Sequence, residues 1–224
     1  MIKLRVFPLF FNIEWKHLGQ RLLDAKYNEE EARGFIVTDI SDKQIMATYY
    51  EKIIYLEIVH HPVRGDFEIT REVFFKTDII LFKKICFIVN PSRRFSGLLI
   101  FIANKTEAQV SIRDCRFNIP AFCDLGFRLF DEFNVTKVVY KQFNVTDSLK
   151  CSAAFSCDNN VFNEIGSVRL NIPAMPSRIT FAGIINKTIM KGDISETGLI
   201  SLSSANIDCF VDFINKNQDS LIIC

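Results

Sequence analysis

The chain has 224 residues, enough for one large domain or two small ones. Hydrophobic residues make up 49 %, and 27 basic against 26 acidic residues leave a net charge of +1. These values exclude a chain disordered throughout, a strongly basic nucleic-acid coat and an acidic tail protein.

Residues 1–15 carry an apolar patch from Val6 to Phe11 that Glu14, Trp15 and Lys16 end. The patch is shorter than the apolar region of a secretory signal, so Ile2–Phe11 reads as a strand. Asn12 is placed to cap a helix in which Trp15, Leu18, Leu22 and Ala25 recur at helical spacing. Glu29, Glu30 and Glu31 mark an exposed loop. A β-rich stretch follows, with strands over 34–40, 44–50 and 53–59 and turns at 41–43 and 61–66. Phe67, Ile69, Val73 and Phe75 then share one face of a strand, with Glu68, Thr70 and Glu72 on the other. Residues 79–89 supply one or two short strands. At eleven residues, cut by Lys83 and Lys84, they fall short of the 18 or more that a transmembrane helix needs.

The pattern changes at Asn90-Pro91-Ser92. Ser92 is placed to cap a helix carrying Phe95, Leu98, Leu99 and Ile102. Strands are expected at 109–118, 135–145, 149–155 (paired with the one before), 166–172, 179–191 (one strand or two) and 198–202. Pro120 opens a short helix over 120–130. Ser204 is placed to cap a helix lined by Ile207, Phe210, Val211 and Ile214, and 221–224 reads as an edge strand. Arg116-Phe117-Asn118-Ile119-Pro120-Ala121 recurs as Arg169-Leu170-Asn171-Ile172-Pro173-Ala174, from a duplicated strand–helix unit or from chance. The expected fold is α+β with mostly antiparallel sheets: a β-rich lobe with one helix over 1–90, then a mixed α/β lobe over 91–224.

The seven cysteines, at 86, 115, 123, 151, 157, 209 and 224, include no CxxC pair. They read as reduced, mostly buried thiols of a cytoplasmic protein. His60 and His61 are adjacent, so on a strand they point to opposite faces and hold no common metal. No phosphate-binding glycine loop, nucleophile elbow or zinc-protease motif occurs, and no cofactor is expected. Glu57, Asp66, Glu68 and Lys76 are the best set for a metal-dependent nuclease, although the same alternation describes solvent-facing charges on half-buried strands.

The most informative feature is a charge window. Between Asp78 and Glu107 lie Lys83, Lys84, Arg93, Arg94 and Lys105, and no acid. Arg93 and Arg94 fall at the start of the expected Ser92 helix, where cations oppose the dipole unless an external anion joins them. The leading expectation is a non-catalytic subunit of a protein complex. It contacts a partner protein through a Phe-rich surface and nucleic-acid phosphates through the 83–105 patch. The Lys-, Ile-, Asn- and Phe-rich composition fits an AT-rich gene and hence a bacterial phage-defence or mobile-element system. One alternative is a metal-dependent nuclease or phosphoesterase using Glu57, Asp66 and Glu68. Another is a homo-oligomeric scaffold. No membrane partner is expected.

Overall fold

A computed structural model of the chain describes residues 1–92, 95–144, 148–167, 172, 174–203 and 207–223. The fold is α+β, 24 % helical and 52 % strand, mostly antiparallel, with strands dominating the N-terminal part. No helix among the described residues is long and apolar enough to cross a membrane.

The chain opens with β1 (Ile2–Phe11), α1 (Trp15–Asp24), β2 (Arg33–Ile40), β3 (Gln44–His61), β4 (Gly65–Phe82) and β5 (Ile85–Val89). It continues with α2 (Phe95–Lys105), β6 (Val110–Ile112), β7 (Arg116–Phe117), α3 (Ile119–Leu129), β8 (Glu132–Asn144) and β9 (Lys150–Ser156). Then come α4 (Val161–Ser167), β10 (Arg178–Ile185), β11 (Thr188–Ser195), β12 (Leu199–Leu202), α5 (Asp208–Lys216), α6 (Gln218–Leu221) and β13 (Ile222–Ile223). The chain divides into two compact units, Leu9–Ile112 and Met1–Pro8 with Arg113–Cys224. The seam expected at residue 90 falls inside the first of these.

In the unit Leu9–Ile112, β2, β3, β4 and β5 lie side by side, and β1 joins beyond β5. The Leu9 N–H donates to the Lys84 carbonyl at 2.9 Å, and β6 pairs with Leu9–Phe11. Helix α1 buries Trp15, Leu18 and Leu22 as its spacing predicts, but Glu14 rather than Asn12 is its N-cap, without a side-chain cap bond. The Trp15 indole N–H donates instead to the Ser41 carbonyl at 2.8 Å. Phe35, Tyr49 and Phe101 form a triangle of rings with centroids 5.5–5.6 Å apart. The Tyr49 hydroxyl inside it is buried without a hydrogen-bond partner.

In the other unit the order is β1 (through Ile2–Arg5), β12, β11, β10, β8, β9. Its centre is Phe122 of α3, fully buried, with the rings of Phe117, Phe130, Phe133, Phe181, Phe210 and Phe213 at 5.2–6.5 Å. One turn on, Gly126 lets the Phe133 ring settle on the helix backbone, because a Cβ there would lie 2.7 Å from that ring. Pro120 sits in the first turn of α3, and the Asn118 carboxamide oxygen accepts from the Ala121 N–H at 3.2 Å.

Several elements differ from the sequence reading. The strands expected at 44–50 and 53–59 are one strand, β3, and 67–75 runs on through 79–82 as β4. The strand expected at 109–118 is two short ones, β6 and β7, with Asp114 between them. Gly166 and Ser167, expected to open a strand, end helix α4. Helix α5 starts at Asp208 with Ile207 as N-cap, and the proposed cap Ser204 lies outside the described residues. So do Arg169, Leu170, Asn171 and Pro173 of the second hexapeptide copy, and Cys224.

Replacing Phe122 by Ala is expected to cost about 3–5 kcal/mol, since it empties the centre of a ring cluster. Tyr49→Phe removes a hydroxyl with no partner and is expected to leave stability unchanged or raised. Chemical denaturation of the two variants checks both.

Candidate functional site

The feature that stands apart is a long β-hairpin arm. β3 and β4 pair without a register break from Gln44↔Phe82 to His61↔Gly65. Alternating β-branched and aromatic residues favour extended backbone along both strands. Pro62, Val63 and Arg64 make the turn, and Gly65 supplies the positive φ (+74°) that closes it. The His61 Nδ1 accepts from the Val63 and Arg64 N–H groups at 3.1 Å each.

Only the inner half of the arm has neighbours in the sheet. β2 pairs with Ile45–Glu51, and β5 with Asp78–Leu81. The flank ends at Lys52, whose N–H donates to the Ala32 carbonyl at 2.7 Å. The Lys52 ammonium lies 3.0 Å from Glu72 and 3.3 Å from Glu29, and the Glu72 bond is the main cause raising its pKa. Beyond it, among the described residues, the two strands pair only with each other. One face carries Ile53, Tyr55, Val59, Ile69 and Val73 with the Glu57–Arg71 ion pair. The other carries a row of Ile54, Leu56 and Ile58 beside a row of Glu72, Thr70 and Glu68. Ile54, Leu56 and Ile58 are 58 %, 64 % and 58 % exposed. The alternation expected for 67–75 is therefore present.

The same register disperses the acids. Glu57 is opposite Ile69 and Glu68 is opposite Ile58, so the two carboxylates project from opposite faces of the ribbon. Glu57 is held by Arg71, and Asp66 by His60 at 2.7 Å. Lys76 pairs with Asp78 at 3.4 Å. Among the described residues no three His, Cys, Asp or Glu side chains gather to hold a metal ion. Along the sequence Glu57, Asp66 and Glu68 flank one turn, and strand pleating puts Glu57 on the face opposite Asp66 and Glu68.

Of the basic window, Lys83, Lys84 and Lys105 are described. Lys83 and Lys84 form the exposed β4–β5 turn. Lys105 lies in the last turn of α2, its Nζ 2.7 Å from Glu31 and 5.3 Å from the centre of the Phe101 ring. Arg93 and Arg94 lie outside the described residues. At the first turn of α2, the Glu51 carboxylate oxygens come within 3.4 and 3.6 Å of where a Gly97 Cβ would stand. The chain thus places its own negative charge where the helix dipole favours one. This was not legible along the chain, because residues 51 and 97 meet only through the fold.

Phe7, Phe35, Phe87, Phe101, Phe122, Phe181 and Phe210 are fully buried, while the exposed apolar residues of the arm are Ile54, Tyr55, Leu56, Ile58, Val63, Phe67 and Phe74. Of the thiols, Cys86 and Cys123 are buried, Cys115, Cys157 and Cys209 half-buried, and Cys151 exposed. Burial pushes Cys86 and Cys123 up to about 12, with Asp124 a lesser cause at Cys123. A separate open groove of about 820 Å³ is lined by Arg116, Lys141, Met175 and Glu196 among others, with Arg116 and Glu196 paired at 3.4 Å.

No protein-family model matches the chain, and no curated protein matches it.

Native-state alkylation near pH 8 is expected to label Cys151 and to leave Cys86 and Cys123 unmodified until the chain is denatured, because thiolate is the reacting form. Peptide mass mapping before and after denaturation checks this.

Proposed function

We propose that the chain is a non-catalytic subunit of a protein complex that docks a partner protein through the outer half of the β3–β4 arm. The single observation that supports this is an unbroken two-stranded ribbon that keeps large apolar residues in water beyond the sheet. A two-stranded hairpin is marginal by itself, and contiguous exposed apolar side chains mark interaction surfaces. Ile53 and Val73 are directly opposed, so residues 54–72 can be replaced by an Asn-Gly turn that closes the shortened ribbon. That variant is expected to melt within a few degrees of the parent and to lose the protein, whether a different chain or an untagged copy of this one, that co-purifies with the tagged chain from the native host. The point variant Leu56→Asp is expected to lose it too. Retention of that protein by both variants would end this reading.

The proposal includes nucleic-acid phosphates as a second contact, at Lys83, Lys84, Arg93 and Arg94. Lys105 leaves this set, because Glu31 already neutralises it. We place the complex in the cytoplasm, within a bacterial phage-defence or mobile-element system, on the strength of the composition. Arg93→Glu with Arg94→Glu is expected to weaken retention on immobilised single-stranded DNA at low salt, while Lys105→Gln leaves it unchanged. Equal retention by all three proteins would remove nucleic acid from the proposal.

A further inference from the structure

We propose that the free edge of β3, over residues 54–58, pairs antiparallel with the same edge of a second copy of this chain, about a two-fold axis at Leu56. The inference rests on the reading of the arm as a docking surface and names the occupant.

In an antiparallel strand each residue directs its N–H and C=O to the same side, and successive residues alternate. The Lys52 N–H bonds to Ala32, on the side away from β4. The register then continues without a shift to His61, so Ile54, Leu56 and Ile58 also present their backbone groups away from β4. No strand among the described residues pairs with that side. The edge offers unpaired donors and acceptors carried on exposed apolar residues, which is a template for strand addition.

The choice of a second copy follows from what the edge places opposite itself. Centred on Leu56, the antiparallel register sets Leu56 against its own copy, Ile54 against Ile58, and Ile53 against Val59. Tyr55 then faces Glu57, whose carboxylate is already held by Arg71. Within 53–59 no like charges meet. Backbone parity agrees, since residues 54, 56 and 58 face outward in both copies. A C₂ interface requires this kind of self-complementary patch.

The other edge of the arm behaves differently. There Asp66, Glu68, Thr70 and Glu72 turn their backbones outward, and the corresponding register centred on Thr70 sets Glu68 against Glu72 of the second copy. Like charges directly opposed destabilise a strand pair. Charged residues on an edge strand are a common guard against edge pairing. β4 is guarded in this way, and β3 is open.

The test is the molar mass of the purified full chain by light scattering across a concentration series. The mass is expected to climb from one protomer of 25.8 kDa towards twice that value. Ile54→Lys and Ile58→Glu are each expected to lose the dimer. The double variant is expected to regain it, because each new lysine then faces a new glutamate across the axis. Thr70→Lys, on the β4 edge, is expected to leave association unchanged, and circular dichroism confirms that every variant is folded. A chain that stays monomeric at all concentrations, or a double variant weaker than either single one, overturns the self-pairing. If that chain still holds its co-purifying protein through the arm, the docking reading survives without the second copy. If replacing residues 54–72 changes neither association nor co-purification, both fall.

Discussion

A β-strand satisfies its backbone and covers its apolar face only where neighbours flank it and a layer lies over it. β3 and β4 meet this condition for half their length. Ile45, Ala47 and Tyr49 are buried, and so are the facing Leu81, Ile79 and Thr77. Past Lys52 the ribbon continues with the same alternation, but β2 and β5 have ended. The chemistry of the strand is unchanged while its surroundings are removed. The outer arm stands apart for that reason: its apolar residues keep a side chain or a backbone edge in water.

The rest of the molecule shows what these residues do when they are covered. Around Phe122, six other rings pack edge-on or tilted within 6.5 Å, and the Phe133 and Phe130 rings occupy the space a side chain at Gly126 or Gly183 would need. Such ring pairs each contribute roughly 0.5–1.5 kcal/mol beyond area burial. Much of the phenylalanine content therefore lies inside, and the arm exposes Phe67 and Phe74 beside its aliphatic residues. Composition reports how much apolar material a chain carries. Where it lies depends on which elements find neighbours.

Legibility in the sequence followed the range of the forces involved. The helices α1 and α5 were readable from spacing, because their buried faces recur every three to four residues, as Phe210, Val211 and Ile214 do. Pro120 and Asn118 mark a helix start through bonds within a few residues. The join of 44–50 to 53–59 was not readable. Glu51 and Lys52 look like a break, yet Lys52 is held by Glu29 and Glu72, and Glu51 lies against α2. Both charges are satisfied by residues remote in sequence, so the strand need not end. The pairing of Lys105 was unreadable for the mirror-image reason. Lys105 is close to Lys83 along the chain, but its charge is taken up by Glu31, 74 positions away. The separation of Glu57 from Glu68 was accessible in principle, since a turn at 62–64 fixes the parity of every opposed pair. A turn one residue longer would have reversed it.

The two edges of the arm also show why edge chemistry carries more information than exposure. Both edges are in water and both have free backbone groups, so area alone does not rank them. An apolar cross-strand pair contributes roughly 0.2–1 kcal/mol, and an acid opposite an acid subtracts a similar amount. Between β3 and β4 that contribution changes sign, so the same backbone geometry invites a strand on one side and repels it on the other. With β4 guarded, the β3 edge is the side of the arm that stays open to a strand. The guard also limits growth, because a ribbon open on one side closes into a pair and cannot extend into a fibre.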